Sequence, residues 1–300
     1  MKLDFLRAVE RAEGLCRDAV RRVANLRYPL EAALLSETGL RRPNNEDNFL
    51  LNREINETSG PSAEIQEVRL RKSAWHCCAV FDGMGGGEFG ELAALLSARA
   101  FRDFPPRGGL SPGDVQRLAR EAFQNANRAV LEQKLDGMYG STGTALYTDG
   151  RLFKIFHLGD SRAYLFRDGT LTRLTKDQTL AAVKAEDGIY APGDPLYEQE
   201  KRLLWAYIGC DVSMKALKPL ETPWEEIRPG DVVLLCSDGL YDMCGDAEIS
   251  EILRASGNAW DAVRRLTDAA KQNGGEDNIT CLAIRHLAGG ARDGKERGSL

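Results

Sequence analysis

Two aspartate–glycine turns constrain this 300-residue chain more than any other feature. Thr148-Asp149-Gly150-Arg151 and Arg167-Asp168-Gly169-Thr170 each lie between runs of apolar, β-branched or aromatic residues. An Asp-Gly pair flanked in this way favours the tight connection of an antiparallel hairpin. Parallel strands instead need a crossover of a dozen or more residues. Ala145–Leu174 therefore reads as an antiparallel meander and not as a βαβ unit.

The rest of the chain supplies helices on either side of that meander. GEFGELAALLSARAFRDF after Gly87 and the stretch Asp114–Lys134 read as two helices, and Asp246–Ser256 and Asn258–Asn273 as two more. Asp231–Ser237 is a buried strand and Asn278–His286 a final one. Asn52–Lys72 is polar and reads as a loop or a long hairpin tip, and 178–217 is charged, Gly- and Pro-punctuated and irregular. Residues 3–27 place Leu6, Val9, Leu15, Ala19, Val23 and Leu26 at helical spacing, with Arg7, Arg11, Arg17, Arg21 and Arg22 on the other faces. This basic amphipathic helix, within an extension over 1–30, is expected to pack against the protein's own body or another protomer. The tail from 288 to 300, AGGARDGKERGSL, is expected to be disordered. No internal repeat appears, and one α+β domain with an added helix fits better than two domains.

Composition narrows the chemistry. Forty basic against forty-five acidic side chains leave a net charge of −5, which offers no charge-driven route to nucleic acid or an anionic membrane. At 43% apolar the chain is too hydrophobic for a disordered one, yet no run approaches a membrane span, and the charged opening MKLDFLRAVERAEG is not a signal peptide. Only His76, His157 and His286 exist, and no two stand at ligand spacing, which disfavours an imidazole-rich zinc site. The seven cysteines are odd in number and form no C-x-x-C, so they read as reduced, mostly buried thiols of a cytoplasmic protein. Site chemistry must come mainly from carboxylates.

Those carboxylates have a pattern. NNEDNFLL, CCAVFDGMGG, FHLGDSRAYL, VVLLCSDGLYD and GGEDNITCLAI each put acid beside an apolar strand, at Glu46, Asp47, Asp82, Asp160, Asp238 and Asp277. Strand ends are rigid, as a ligand set requires. Gly83 and Gly239 follow two of the aspartates, and glycine lets a backbone carbonyl approach an ion closely. Singly, each aspartate is as well explained by capping a turn or helix. Together they form a set that cannot stay ionised at one place without a counter-cation. Hard oxygen donors without imidazole or thiolate select magnesium or manganese. Arg42, four residues before Glu46, would be a phosphate fork beside such a cluster, which makes phosphate-ester hydrolysis the leading reaction class.

In this order the segments resemble the metal-dependent protein phosphatases, the type 2C serine/threonine family, in its bacterial form. The matching stretches are R-P-N-N-E-D at 42–47, F-D-G-M-G-G at 81–86, S-T-G-T-A at 141–145, G-D-S-R-A-Y-L at 159–165, C-S-D-G-L at 236–240 and E-D-N-I-T at 276–280. The resemblance covers roughly 32–287 and implies a phosphatase domain over 31–287 with a mobile flap at about 178–217. It also implies a four-layer α-β-β-α sandwich of two antiparallel sheets flanked by helices. By the same resemblance Asp82 bridges two Mn2+ or Mg2+ ions and Gly83 contributes its carbonyl. Asp238 and Asp277 complete the first metal, Glu46 or Asp47 reaches the second, and Asp160 matches the position of a third, weaker ion. Arg42 grips the substrate phosphate, while Asn278 and Ser161 orient ligands. The implied reaction is hydrolysis of phosphoserine or phosphothreonine in a protein substrate, within a Ser/Thr kinase pathway, by direct attack of a metal-bridging hydroxide.

Several residues depart from the family pattern. Met84 stands where the animal branch has a histidine, Asp177-Gln178-Thr179 replaces Asp-His-Ser, Glu37 replaces an aspartate, and 181–210 matches poorly apart from Ile208-Gly209. Two other readings follow: a weak or non-catalytic regulator that binds a phosphoprotein or kinase, and a phosphatase of small phosphate esters. His157 reads as a core histidine, and Trp205 and Tyr207 as flap packing.

Overall fold

Short apolar runs bounded by turn residues make two antiparallel sheets. The computed structural model describes residues 29–287 except 59–61, 86, 87, 136, 192 and 212–216. The expected helix over 3–27 and the tail from 288 lie outside the described residues. One sheet has the order β10 (Thr170–Arg173), β9 (Arg162–Arg167), β13 (Val232–Cys236), β14 (Ile279–His286), β1 (Leu30–Glu37) and β3 (Ser62–Leu70). The other runs β11 (Leu220–Glu221), β8 (Leu152–Leu158), β7 (Gly143–Thr148), β4 (His76–Phe81) and β2 (Asn48–Leu50), with β12 (Glu225–Glu226) also paired to β8. A small ribbon joins β5 (Gly83–Met84) to β6 (Gly140–Ser141).

Apolar side chains fill three layers. Between the sheets lie Leu34, Phe49, Val80, Leu146, Ile155, Leu165, Leu235 and Leu282, all buried. Outside the second sheet, Phe81, Phe101, Phe123 and Tyr147 pack it against α1 (Glu88–Asp103) and α2 (Pro112–Leu131). Outside the first, Tyr164 and Leu234 meet Ile249 and Leu253 of α6 (Asp246–Ala255) and Val263 and Leu266 of α7 (Ala259–Gln272). The result is the expected four-layer sandwich. Strands such as β13, VVLLC, are apolar on both faces because both faces are covered. Ser111 starts α2 with a capping box to Asp114, and Pro112 occupies the first turn, where its missing N–H costs nothing.

Three expectations change. Ala145–Leu174 holds both hairpins, but not in one meander. β7–β8 belongs to one sheet and β9–β10 to the other, so the chain changes sheets at Gly159–Ser161. Gly159 makes that passage at φ +99°, where an added Cβ would stand 2.7 Å from Thr142 Cγ2. The polar stretch 52–72 is in large part β3, an edge strand on β1 with a bulge between Ala32 and Leu34. Most of its side chains touch water, which hid the strand among polar residues. The irregular interval contains two short helices, α3 (Leu180–Glu186) and α4 (Pro195–Glu200), and is tied back through bridges Thr179–Leu204 and Ser141–Ile208. No described helix is long and apolar enough to cross a membrane.

Candidate metal and phosphate site

Strands from both sheets end at one rim and deliver acid there. Asp82 follows β4, Glu46 precedes β2, Asp277 precedes β14, Asp160 lies in the crossover between β8 and β9, and Asp238 opens α5 (Asp238–Tyr241) after β13. Glu46, Asp82, Gly83, Asp160, Asp238 and Asp277 line one cavity of ≈ 220 Å³ together with Arg42. The tightness of the place explains its glycines. A Cβ on Gly83 would lie 2.2 Å from the Gly90 carbonyl oxygen, and one on Gly90 would lie 2.1 Å from Glu46 Oε2.

Hydrogen bonds aim these groups. Asn278 accepts from the Glu46 N–H (2.8 Å) and donates to the Thr38 (2.9 Å) and Asn44 (2.8 Å) carbonyls, which pins the loop carrying Arg42. The Asp82 N–H donates to Thr142 Oγ1 (2.9 Å), whose hydroxyl meets Ser161 Oγ at 2.6 Å. Arg42 Nη2 donates to Asp277 Oδ2 at 2.6 Å. Asp47 is placed differently: it lies beneath the cavity wall, where Oδ2 accepts from Ser237 Oγ and Thr280 Oγ1, each at 2.7 Å. Its carboxylate faces two hydroxyls rather than the cavity.

The electrostatics are those of crowded acid. Burial, then the charges of Asp47, Asp238, Asp160 and Asp277, push the Asp82 carboxyl well above the usual carboxylate range. Burial and then Asp160, Asp277, Asp242 and Asp47 do the same to Asp238. Asp160 is pushed up to about 7 by burial first and then by Asp177. Asp47 also rises to about 7 through burial, against the opposing pull of Thr280 and Ser237. Burial works against the Arg42 guanidinium, but Asp277, Glu46 and Asp238 outweigh it and raise its pKa.

Among the described residues no three His, Cys, Asp or Glu side chains are drawn into closed metal-ligating geometry. Asp277 is instead turned onto Arg42. The donor set nevertheless fits a hard divalent cation: carboxylate oxygens and a glycine carbonyl at one cavity, no imidazole or thiol in its lining, and mutual repulsion that a cation relieves.

Sequence reasoning missed four contributors. Thr142 supports Asp82 through its backbone N–H, from within the S-T-G-T stretch. Leu204 joins the cavity wall from the flap. Arg202, also from the flap, lines this cavity and an adjoining one of ≈ 140 Å³, and reaches Asp242 at 3.3 Å. Asp242 shares that adjoining cavity with Asp160 and Asp238. Its spacing of four from Asp238, one helical turn, was the available signal. His157 is a core residue, buried between Thr144 Oγ1 (2.9 Å) and the Lys176 carbonyl (3.0 Å). Gln178 supports the crossover by accepting from the Gly159 N–H at 2.8 Å.

Comparison with known proteins gives the same direction. A family profile described as Protein phosphatase 2C matches residues 39–184. The serine/threonine protein phosphatase PstP of Mycobacterium tuberculosis is 33% identical over 268 residues, which are 87% of this chain and 46% of the relative. The chain thus spans about half the length of that relative. A crystal structure of the M. tuberculosis phosphatase PstP/Ppp superposes with a TM-score of 0.69 at 32% identity, covering 86% of this chain and 99% of the solved one. The catalytic domain of a PstP solved in complex with 2 manganese ions gives 0.68 at 30%, covering 86% and 98%.

Proposed function

The chain belongs to the protein phosphatase 2C family, and from that premise we propose that it is a Mn2+- or Mg2+-dependent phosphatase of phosphoserine and phosphothreonine in proteins. The observation that carries this reading is the single cavity in which five carboxylates meet Arg42. Relatives bearing the name serine/threonine phosphatase, and one solved with two manganese ions, support it.

In this reading Asp82, Gly83, Asp238, Asp277 and Glu46 hold two ions, and Asp160 with Asp242 holds a third. When bound, the ions supply Lewis-acid activation of water and of the phosphoryl oxygens. Arg42 forks two phosphate oxygens, which requires it to exchange Asp277 for substrate. Asn278 and Thr142 hold the Glu46 loop and the Asp82 backbone in place throughout. Asp47 sets the field from below. Met84 lines the cavity and carries no proton to donate, so the leaving oxygen takes its proton from water. A phosphoprotein of a Ser/Thr kinase pathway is the proposed partner. The six cysteines within the described residues, all free, suit the reducing cytoplasm we propose for it.

The test is turnover of a phosphopeptide panel with and without MnCl2. Activity should require the metal and collapse in Asp82→Ala and Asp238→Ala, with small aryl phosphates turned over at lower kcat/KM. Metal-loaded protein that binds phosphopeptides but leaves them intact would overturn the reading.

A further inference from the structure

At the other end of β4, a second cavity of ≈ 450 Å³ opens between the sheet and the α1–α2 connection. β4 runs from His76 beside this cavity to Phe81 beside Asp82. At ~3.3 Å per residue the two places are on the order of 20 Å apart, so this space is separate from the metal and phosphate site. Its volume falls within the range of small-molecule sites, roughly 300–1,000 Å³.

The floor consists of fixed rings. Trp75 donates from Nε1 to the Leu110 carbonyl at 2.8 Å and stacks at a tilt on Trp224, with centroids 5.3 Å apart. Phe101 is fully buried and meets Phe123 edge-on at 4.9 Å. His76 places Nε2 3.0 Å from the Arg71 carbonyl, which assigns the proton to that nitrogen, and burial lowers its pKa and keeps the ring neutral. Trp75, half-buried and held by its hydrogen bond, therefore presents a preorganised ring rather than one that must be ordered on binding.

Arginines dominate the charged lining, three of them against the one acidic side chain, Asp103. Arg53 and Arg107 line the cavity and have no hydrogen-bond or ion-pair partner among the described residues. The third arginine of the lining, Arg102, is already committed to Glu57 and Asp103. Arg53 reaches its place through a two-residue turn in which Asn52 (φ 50°) and Arg53 (φ 70°) are both left-handed. Reciprocal hydrogen bonds between Leu51 and Glu54 of 3.0 and 2.9 Å close that turn. Asparagine tolerates such a backbone, whereas arginine seldom adopts it.

We propose that this cavity binds a flat aromatic or heteroaromatic anion, with its ring against Trp75 and its phosphate or carboxylate held by the guanidiniums of Arg53 and Arg107. A guanidinium recognises either anion through a two-oxygen fork, and the fixed Trp75 ring supplies an apolar contact that a simple inorganic anion does not use.

Isothermal titration of the 300-residue, Mn2+-loaded chain with 1-naphthylphosphonate and with 1-naphthoate tests this, since neither compound is a hydrolysable ester. The anion whose affinity falls more in Arg53→Gln/Arg107→Gln identifies a phosphate-like or a carboxylate ligand, since a phosphonate also suits the Mn2+ and Arg42 site. Methylphosphonate and acetate, which lack the ring, should bind about ten-fold more weakly or worse. Arg53→Gln/Arg107→Gln should weaken naphthyl-anion binding by about ten-fold or more. Its thermal midpoint and its phosphopeptide kcat/KM should match the wild type. Arg42→Gln should leave the naphthoate affinity unchanged. No binding of either naphthyl anion, equal affinity in the double variant, or loss of naphthoate binding with Arg42→Gln would each overturn the proposal.

Discussion

Asn278→Ala should loosen the loop that carries Arg42 and Glu46 before it disturbs any other part of the fold. The side chain is 5% exposed and makes three hydrogen bonds, one accepted from Glu46 N–H and two donated to the Thr38 and Asn44 carbonyls. Truncation leaves one N–H and two carbonyls without their partner. At about 1 kcal/mol net for each lost bond, the cost comes to about 3 kcal/mol, less where water reaches the freed groups. In a domain of this size each kcal/mol moves the melting midpoint by ~2 °C, so a fall of about 6 °C is expected. Asn278→Asp keeps the acceptor for Glu46 but turns an oxygen toward two carbonyls and adds charge beside Asp277, so it should do at least as much harm. Calorimetry with and without Mn2+, followed by phosphopeptide kinetics, checks both variants. Because the loop bears Arg42 and Glu46, Mn2+ affinity should weaken and KM should rise. An alanine variant that melts within about 1 °C of wild type and binds Mn2+ normally would refute the claim that Asn278 pins this loop.

Two further outcomes follow from the site. Gly90→Ala would put Cβ 2.1 Å from Glu46 Oε2 and 3.0 and 3.1 Å from the carbonyl carbon and oxygen of Gly83, so a buried side chain and the backbone beside it must both shift, against a helix preference for alanine of about 1 kcal/mol. Urea unfolding should therefore show a loss of stability of about 1–3 kcal/mol, and titration calorimetry should show weaker Mn2+ binding because Glu46 and Gly83 are displaced. The second outcome concerns pH. Asp47 and Asp160 are pushed up to about 7, above their unfolded range near 4, so the metal-free fold holds more protons than the unfolded chain between those values. That contribution to stability is fully present below about pH 4 and is lost as pH rises through about 7. In EDTA the melting midpoint should fall from pH 5 to 8. Mn2+ should reverse the trend and release protons on binding near pH 6.5, measurable in buffers of different ionisation enthalpy. A midpoint that stays flat or rises in EDTA would contradict the buried-carboxylate account.

What could be read from the residues depended on whether a local signal carried the information. Asp82, Asp238 and Asp277 were legible because each adjoins an apolar run, and the helices because their periodicity is regular. The two Asp-Gly hairpins were legible too. That they belong to different sheets was not, because a turn specifies its own two strands and nothing about the next pair; the change of sheet rests on Gly159 meeting Thr142. β3 escaped notice because an edge strand that touches water on both faces reads as a polar loop. Asp47 was grouped with Glu46 because they are neighbours in sequence. Successive residues in extended chain point opposite ways, and this one points at Ser237 and Thr280. Arg202 lies in an interval without periodicity, and only its tertiary placement brings it to Asp242.

The carboxylates of the site are not all anchored in the same layer. Asp82 leaves a strand of one sheet, Asp238 and Asp277 flank strands of the other, and Asp160 belongs to the passage between them. Their separation is therefore gauged by the thickness of the apolar layer in between, where Val80, Leu235 and Leu282 touch no ligand. Close-packed layers do not yield freely to a change of one methylene. Selectivity between ions of different radius, such as Mg2+ and Mn2+, depends on cavity size and on how freely ligands adjust. On the proposed reading the choice of ion would thus be partly a property of hydrocarbon packing, and a conservative substitution deep in the core would retune it without altering a single donor.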